Sequence, residues 1–134
     1  KNRELAIATM AIVKKTQFLK TILQDLENIE STPLVARVIR IIKRNSKKDD
    51  DWDFFREAFD NSDKDFLKKL KIKHPKLTHN DMRLCAYLRL NLTSKEIAPL
   101  FNISTKSVEV KRYRLRKRMD LDRDENLVDY IIDL

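Results

Sequence analysis

An all-α fold follows from three features of the sequence. The chain of 134 residues contains no glycine, although average usage of ~7% would place roughly nine in that length. Without glycine there is no phosphate-cradling loop, no dinucleotide fingerprint and little scope for tight hairpin turns. Apolar residues recur three and four positions apart along most of the chain, the period of helices that bury one face. Two of these runs also begin with a hydroxyl residue followed three positions later by an acid, the signature of a capped helix start. With 42% hydrophobic and 37% charged residues, a core is possible beneath a heavily solvated surface. No apolar run approaches the ~18 residues of a membrane span. The single cysteine, Cys85, cannot form an internal disulfide, which fits a reducing compartment. Lys1 opens the chain with neither an initiator methionine nor a signal-peptide pattern, so a fragment of a longer protein is expected.

Residues 3 to 30 carry Leu5, Ala8, Ile12, Leu19, Ile22, Leu26 and Ile29 at alternating spacings, interrupted only by Lys15. This seam predicts one long helix. Ile7, Ala11, Phe18 and Leu23 widen the seam, which suits either a helix folded back on its own domain or a parallel dimerising coil. Ser31, Thr32 and Pro33 form a helix start, since a hydroxyl caps free amides and proline in the first turn sacrifices no hydrogen bond. That helix should reach about Arg44 and bury Leu34, Val38, Ile41 and Ile42. Asp49 to Asp51 favour another start, because negative charge suits the helix dipole there. Trp52, Phe55 and Phe59 then fall on one face, a stripe expected in the core. Phe66, Leu67 and Leu70 predict a short helix stopped by His74 and Pro75, since a residue before proline avoids the helical region.

Thr78 with Asp81 predicts a capping box for a helix over 79 to 90, with Leu84, Cys85, Tyr87 and Leu88 available for burial. Thr93 with Glu96 repeats the device for 94 to 101, where Ile97 and Leu100 point inward. Pro99 falls inside that helix close to its start, which limits the cost. Asn102, Ile103 and Ser104 make a turn, and Ser104 caps a third helix reaching about Met119. Turning that helix about 100° per residue places Val108, Leu115 and Met119 within about 40° of one another, toward the core. The opposite side collects Lys106, Glu109, Val110, Tyr113 and Lys117, flanked by Lys111, Arg114, Arg116 and Arg118.

Charge is concentrated on this helix. Residues 106 to 118 hold seven Lys or Arg against one acid, so six of the eight formal positive charges lie there. A run of charge by itself is commonly a solvated helix face. Two capped short helices leading through a tight turn into a basic helix form the layout of a helix-turn-helix, which places its last helix in the major groove of DNA.

The segment from Leu77 to Leu121 resembles, without gaps, the DNA-binding domain of LuxR-type (GerE-like) bacterial transcription regulators. The resemblance rests on LT at 77 and 78, LTSKEIA from Leu92 to Ala98, IS at 103 and 104, KSV at 106 to 108, and LRKRMDL from Leu115. KEIA together with IS-x-KSV is specific, whereas either alone is weak. It covers about a third of the chain. RLCAYLRLNLTSKEIA and SVEVKRYRLRKRM look most like the variant in regulators of the Bacteroidetes, where it lies C-terminal to a helical coil and often to a sensor region and a membrane helix.

The resemblance implies a wingless four-helix domain over 77–134, behind a helical coil and dimerisation or signal-transmission region over 1–76. It implies that Glu109, Val110 and Tyr113 face base edges while Lys106, Lys111, Arg114, Arg116 and Lys117 meet the DNA backbone. Double-stranded DNA is then the partner and no cofactor is expected. Glu109 departs from the lysine common in the family, and its carboxylate suits the exocyclic amine of cytosine. Arg112 stands where the family usually buries Val or Ile, so its guanidinium should emerge beside an acid, with Glu96 the expected partner. Asn91 and Asp120 replace family glycines, and both residue types tolerate the left-handed conformation. After Met119 the charge reverses, with six acids against Arg123. Leu127, Val128, Tyr130, Ile131, Ile132 and Leu134 form an apolar final helix, which in the family joins two domains. A homodimer on a near-palindromic site follows, with half-sites roughly 10 base pairs apart.

Other functions have less support. His74 and His79 lack further ligands at metal spacing, and Cys85 on an apolar helix face suits a packed thiol better than a nucleophile. The sequence therefore points away from an enzyme and from a small-molecule substrate. The alternatives are a helical protein-interaction module and a sigma-factor-like promoter-binding domain. The expected location is the cytoplasm, including the cytoplasmic part of a membrane-anchored regulator whose sensor region lies upstream.

Overall fold

The computed structural model describes residues 2–45 and 48–134, without the side chains at 2–4, 6, 7, 45, 48–51 and 54. Among the described residues the regular elements are eight helices: α1 (Asn2–Glu27), α2 (Pro33–Asn45), α3 (Lys48–Ser62), α4 (Phe66–Lys73), α5 (His79–Arg89), α6 (Ser94–Phe101), α7 (Thr105–Arg118) and α8 (Leu127–Asp133). There is no strand among the described residues, and the chain is all-α. None of these helices is long and apolar enough to cross a membrane. The chain divides into two compact units, one running from Ile7 to Glu57 and the other joining the residues up to Ala6 with Ala58–Leu134.

In the unit from Ile7 to Glu57, α1 ends earlier than its seam predicts. Helical bonding stops at Glu27, and one closing turn follows in which the Ile29 amide donates to the Leu26 carbonyl at 3.2 Å. Thr9 and Val13 are its buried side chains, whereas Ala8 and Ile29 are exposed. Leu5, Thr9 and Val13 are buried at a constant spacing of four, a line inclined to the predicted alternation of threes and fours, so the seam is a poor guide to the buried line here. Thr32 caps α2, its hydroxyl accepting from the Val35 amide at 3.2 Å, with Pro33 in the first helical position. Trp52 and Phe55 are both buried and stack with ring centroids 5.5 Å apart, as expected of a core stripe.

The C-terminal unit is organised around α5, which packs against α4, α7 and α8, while α6 packs against α7. Its capping box is complete. The Thr78 hydroxyl accepts from the Asp81 amide, and the Asp81 carboxylate accepts from the Thr78 amide at 2.9 Å. Thr93 and Glu96 form the same reciprocal pair at α6. Where glycine would ordinarily turn the chain, Asp65, Asn91, Asn102 and Asp120 adopt left-handed backbone with φ of 73°, 61°, 55° and 58°. Asp and Asn are the residues that bear this conformation most readily. Two of the four, Asn91 and Asp120, are the positions where left-handed backbone is expected.

Leu70, Leu84, Cys85, Leu88, Ile97, Val108, Leu115 and Ile131 form the fully buried centre of this unit. Arg89 fastens its far side. The guanidinium donates to Asp63 Oδ2 and to the Ile131 carbonyl, both at 2.7 Å, while lying 4.6 Å above the Phe66 ring. Leu115→Ala should lower the unfolding free energy of this unit by about 2 to 5 kcal/mol, because a buried cavity adds to the lost transfer energy. Tyr113→Ala, two residues away on the exposed side, should change it by about 0.5 kcal/mol or less. Chemical denaturation of the two variants checks this contrast.

Candidate nucleic-acid interface

The orientation of α7 is set at its start and along one narrow stripe. Left-handed Asn102 reverses the chain after α6, the Ile103 amide bonds back to the Ala98 carbonyl at 3.1 Å, and the Ser104 hydroxyl accepts from the Ser107 amide at 3.1 Å. Val108 and Leu115 are completely buried and Met119 is 4% exposed. With that stripe inward, Lys106, Val110, Tyr113 and Lys117 share the opposite face and all are exposed. Val110 and Tyr113 keep 42% and 59% of their surface in solvent, apolar area set among cations. The Lys117 ammonium sits 4.7 Å above the Tyr113 ring, an attraction between cation and π-face that holds the ring along the helix.

The cations of α7 are not equivalent. Arg118 is exposed, as expected of a flanking residue, but its guanidinium is tied to the fold. One of its terminal nitrogens donates to both Asp81 carboxylate oxygens, at 2.7 and 2.8 Å, so it reaches the start of α5. Arg112 bonds Ser94 Oγ at 3.1 Å, not Glu96, whose carboxylate is already occupied by its capping box. Arg116 donates to the carbonyls of Asp122 and Glu125 and thereby grips the turn between α7 and α8. Lys111 is half-buried, its ammonium 5.4 Å from the Phe101 ring. Lys106 and Arg114 are exposed and have no ion pair or side-chain hydrogen bond among the described residues.

Beside this face lies an open groove of about 420 Å³, lined chiefly by Glu109, Arg112, Tyr113 and Arg116 of α7 and by Arg123, Asp124 and Glu125 of the following turn. Glu109 and Tyr113, expected at base edges, therefore share a surface with residues that sequence reasoning left out. The reversal of charge after Met119 signals these residues, but their position beside α7 depends on the Arg116 grip, which no local spacing reveals.

Other reactive side chains serve packing. Burial pushes the Cys85 thiol well up from its ordinary range, and the Asp81 carboxylate adds to that shift. Burial pulls His74 below its ordinary 6.5, and the Lys73 ammonium acts in the same direction. His74 Nε2 lies 2.6 Å from the Tyr130 hydroxyl, a link between the end of α4 and α8. Among the described residues no group of His, Cys, Asp and Glu is arranged to hold a metal ion.

Arg116→Ala should release the turn and speed hydrogen exchange at the Glu125 amide, which donates to the Asp122 carbonyl at 3.1 Å. Arg114→Ala should leave that amide unchanged, and equal exchange in the two variants would remove the distinction between gripping and free arginines. Comparison of the chain with protein-family models, with curated proteins and with solved structures finds no match.

Proposed function

We propose that this chain is a sequence-specific DNA-binding transcription regulator that reads the major groove with α7, in the manner of the LuxR-type domains its sequence resembles. The observation carrying this reading is the outward face of α7, where Val110 and Tyr113 stand exposed between Lys106 and Lys117. Apolar and hydroxyl groups suit thymine methyls and base edges, while flanking ammonium and guanidinium groups suit phosphate. Two capped helices and a three-residue turn deliver that face, and a helix-turn-helix needs this order of elements. Glu109 faces base amines in this reading, and Lys106, Arg114 and Lys117 supply the main phosphate contacts. Lys111 is a lesser contact, and Arg116 acts chiefly by shaping the turn.

The proposed active form is a homodimer. On α8, Leu127 and Ile131 face the core while Ile132 remains 44% exposed, leaving apolar surface for a second copy. The unit from Ile7 to Glu57 also exposes Phe18, Ile29, Leu34 and Ile41, Leu34 by 69%. That surface favours oligomerisation or signal transmission, and it is also what a protein-interaction module would carry.

Selection of duplexes from a random pool, followed by native mass measurement, tests the proposal. The expected product is a near-palindromic site with half-sites roughly 10 base pairs apart, bound by two chains. A pool that stays unenriched, with the chain bound to protein partners only, would favour the interaction module. Tyr113→Ala or Glu109→Ala should shift base preference at about 1 to 3 kcal/mol for a matched site. Arg114→Ala should weaken all duplexes alike and reduce the salt slope by about 1. Anisotropy titrations of selected and scrambled duplexes separate these outcomes.

A further inference from the structure

We infer that one edge of α2 docks on an anionic lipid bilayer, with Arg37, Arg40 and Arg44 taking headgroup phosphates while Leu34 and Ile41 enter the acyl boundary. It does not depend on the DNA-binding proposal, because α2 lies in the other compact unit, between Ile7 and Glu57.

The side chains of α2 are sorted into two halves. At about 100° per residue, Leu34, Val35, Val38, Ile39, Ile41 and Ile42 fall within an arc of about 160°, while Arg37, Arg40, Lys43 and Arg44 occupy the opposite side. The helix carries these four cations and no acid. Its apolar half is only partly used by the fold. Val35, Val38, Ile39 and Ile42 are half-buried, whereas Leu34 and Ile41 keep 69% and 45% of their surface in solvent.

Those two residues lie at the border with the cations. Leu34, Arg37, Ile41 and Arg44 therefore form one exposed row of alternating apolar and guanidinium groups, about 15 Å long, with Arg40 beside it. Lys43 reaches Glu27 at 3.8 Å, but Arg37, Arg40 and Arg44 have no ion pair or side-chain hydrogen bond among the described residues. A single exposed leucine is ordinary. A row that pairs exposed apolar groups with uncommitted cations is not.

Such a row matches the boundary of a bilayer, where phosphate lies directly above hydrocarbon. The guanidinium fork fits phosphate oxygens in pairs, and each basic residue near an anionic leaflet adds to the attraction. Duplex DNA would accept the arginines but offer Leu34 and Ile41 no apolar layer. A second copy laid edge to edge would cover the leucine and isoleucine but set Arg37, Arg40 and Arg44 against their equivalents, with no acid on either helix. The bilayer suits both kinds of group at once. None of the described helices is long and apolar enough to cross it, so α2 lies along the surface.

The test is co-sedimentation of the full chain with vesicles of phosphatidylcholine, alone or mixed with phosphatidylglycerol. Wild type should bind the mixed vesicles and leave the neutral ones. At about fivefold in affinity per cation near the surface, R37Q/R40Q/R44Q should weaken binding about a hundredfold. L34S/I41S, at unchanged charge, should weaken it about tenfold. K106Q/R114Q/K117Q removes the same charge from α7 and should change it about twofold or less. All the substituted residues are exposed, and circular dichroism checks the helix content of each variant. Equal losses in the two charge variants, no loss in L34S/I41S, or no binding to anionic vesicles would overturn the inference. Displacement from the vesicles by polyglutamate at matched charge would overturn it in favour of an acidic polypeptide, and a dimer broken by L34S/I41S without any vesicle binding would overturn it in favour of a second copy.

Discussion

The C-terminal unit depends on how little of α7 is apolar. Val108 and Leu115 are its buried side chains, joined by Met119 at its C-cap, and all three lie on one stripe. A stripe so narrow allows a single orientation, since any rotation would trade a buried methyl group for an ammonium or guanidinium that the core cannot solvate. The exposed face is therefore a consequence of folding. Tyr113 and Val110 are outside because the core has room only for the opposite side of the helix.

The same helix divides its cations between holding the fold and remaining free. Arg118 and Arg112 reach back to α5 and to the start of α6, and Arg116 reaches forward to the turn before α8. The Arg118 and Arg112 bonds span 37 and 18 positions and fix α7 against its neighbours, whereas the Arg116 bonds are local. Ion pairs at a surface contribute about 0 to 1 kcal/mol. Arg118 has a better partner than that, because Asp81 is only 7% exposed and is simultaneously the acidic half of a capping box. Arg112 and Arg116 keep their charge but commit donors to neutral oxygens of the fold, and on α7 Lys106, Arg114 and Lys117 stay exposed around Val110 and Tyr113.

Local features were legible in the sequence. The caps at Thr78, Thr93 and Ser104 depend on groups three residues apart, and the burial of Val108, Leu115 and Met119 depends on helical period, so both could be read without tertiary knowledge. Long side chains were harder. The sequence places Arg112 beside Glu96, yet that carboxylate is used by its own helix start, and Ser94, two residues earlier, accepts instead. The partner of Arg118 lies 37 positions earlier, beyond the reach of any periodicity. Along α1 the residues Leu5, Thr9 and Val13 are buried, and a threonine in that stripe is invisible to a count of apolar spacings. The groove beside α7 was illegible for a related reason, since its second wall comes from a turn whose position is set by Arg116.

The most direct measurement of the account is a map of amide chemical-shift changes in the labelled chain as a short duplex is added at low salt. The account requires the largest changes at Lys106, Val110, Tyr113 and Lys117, with the α4–α5 side of the unit unchanged. Changes confined to α1 and α2, or none at any duplex concentration, would contradict it.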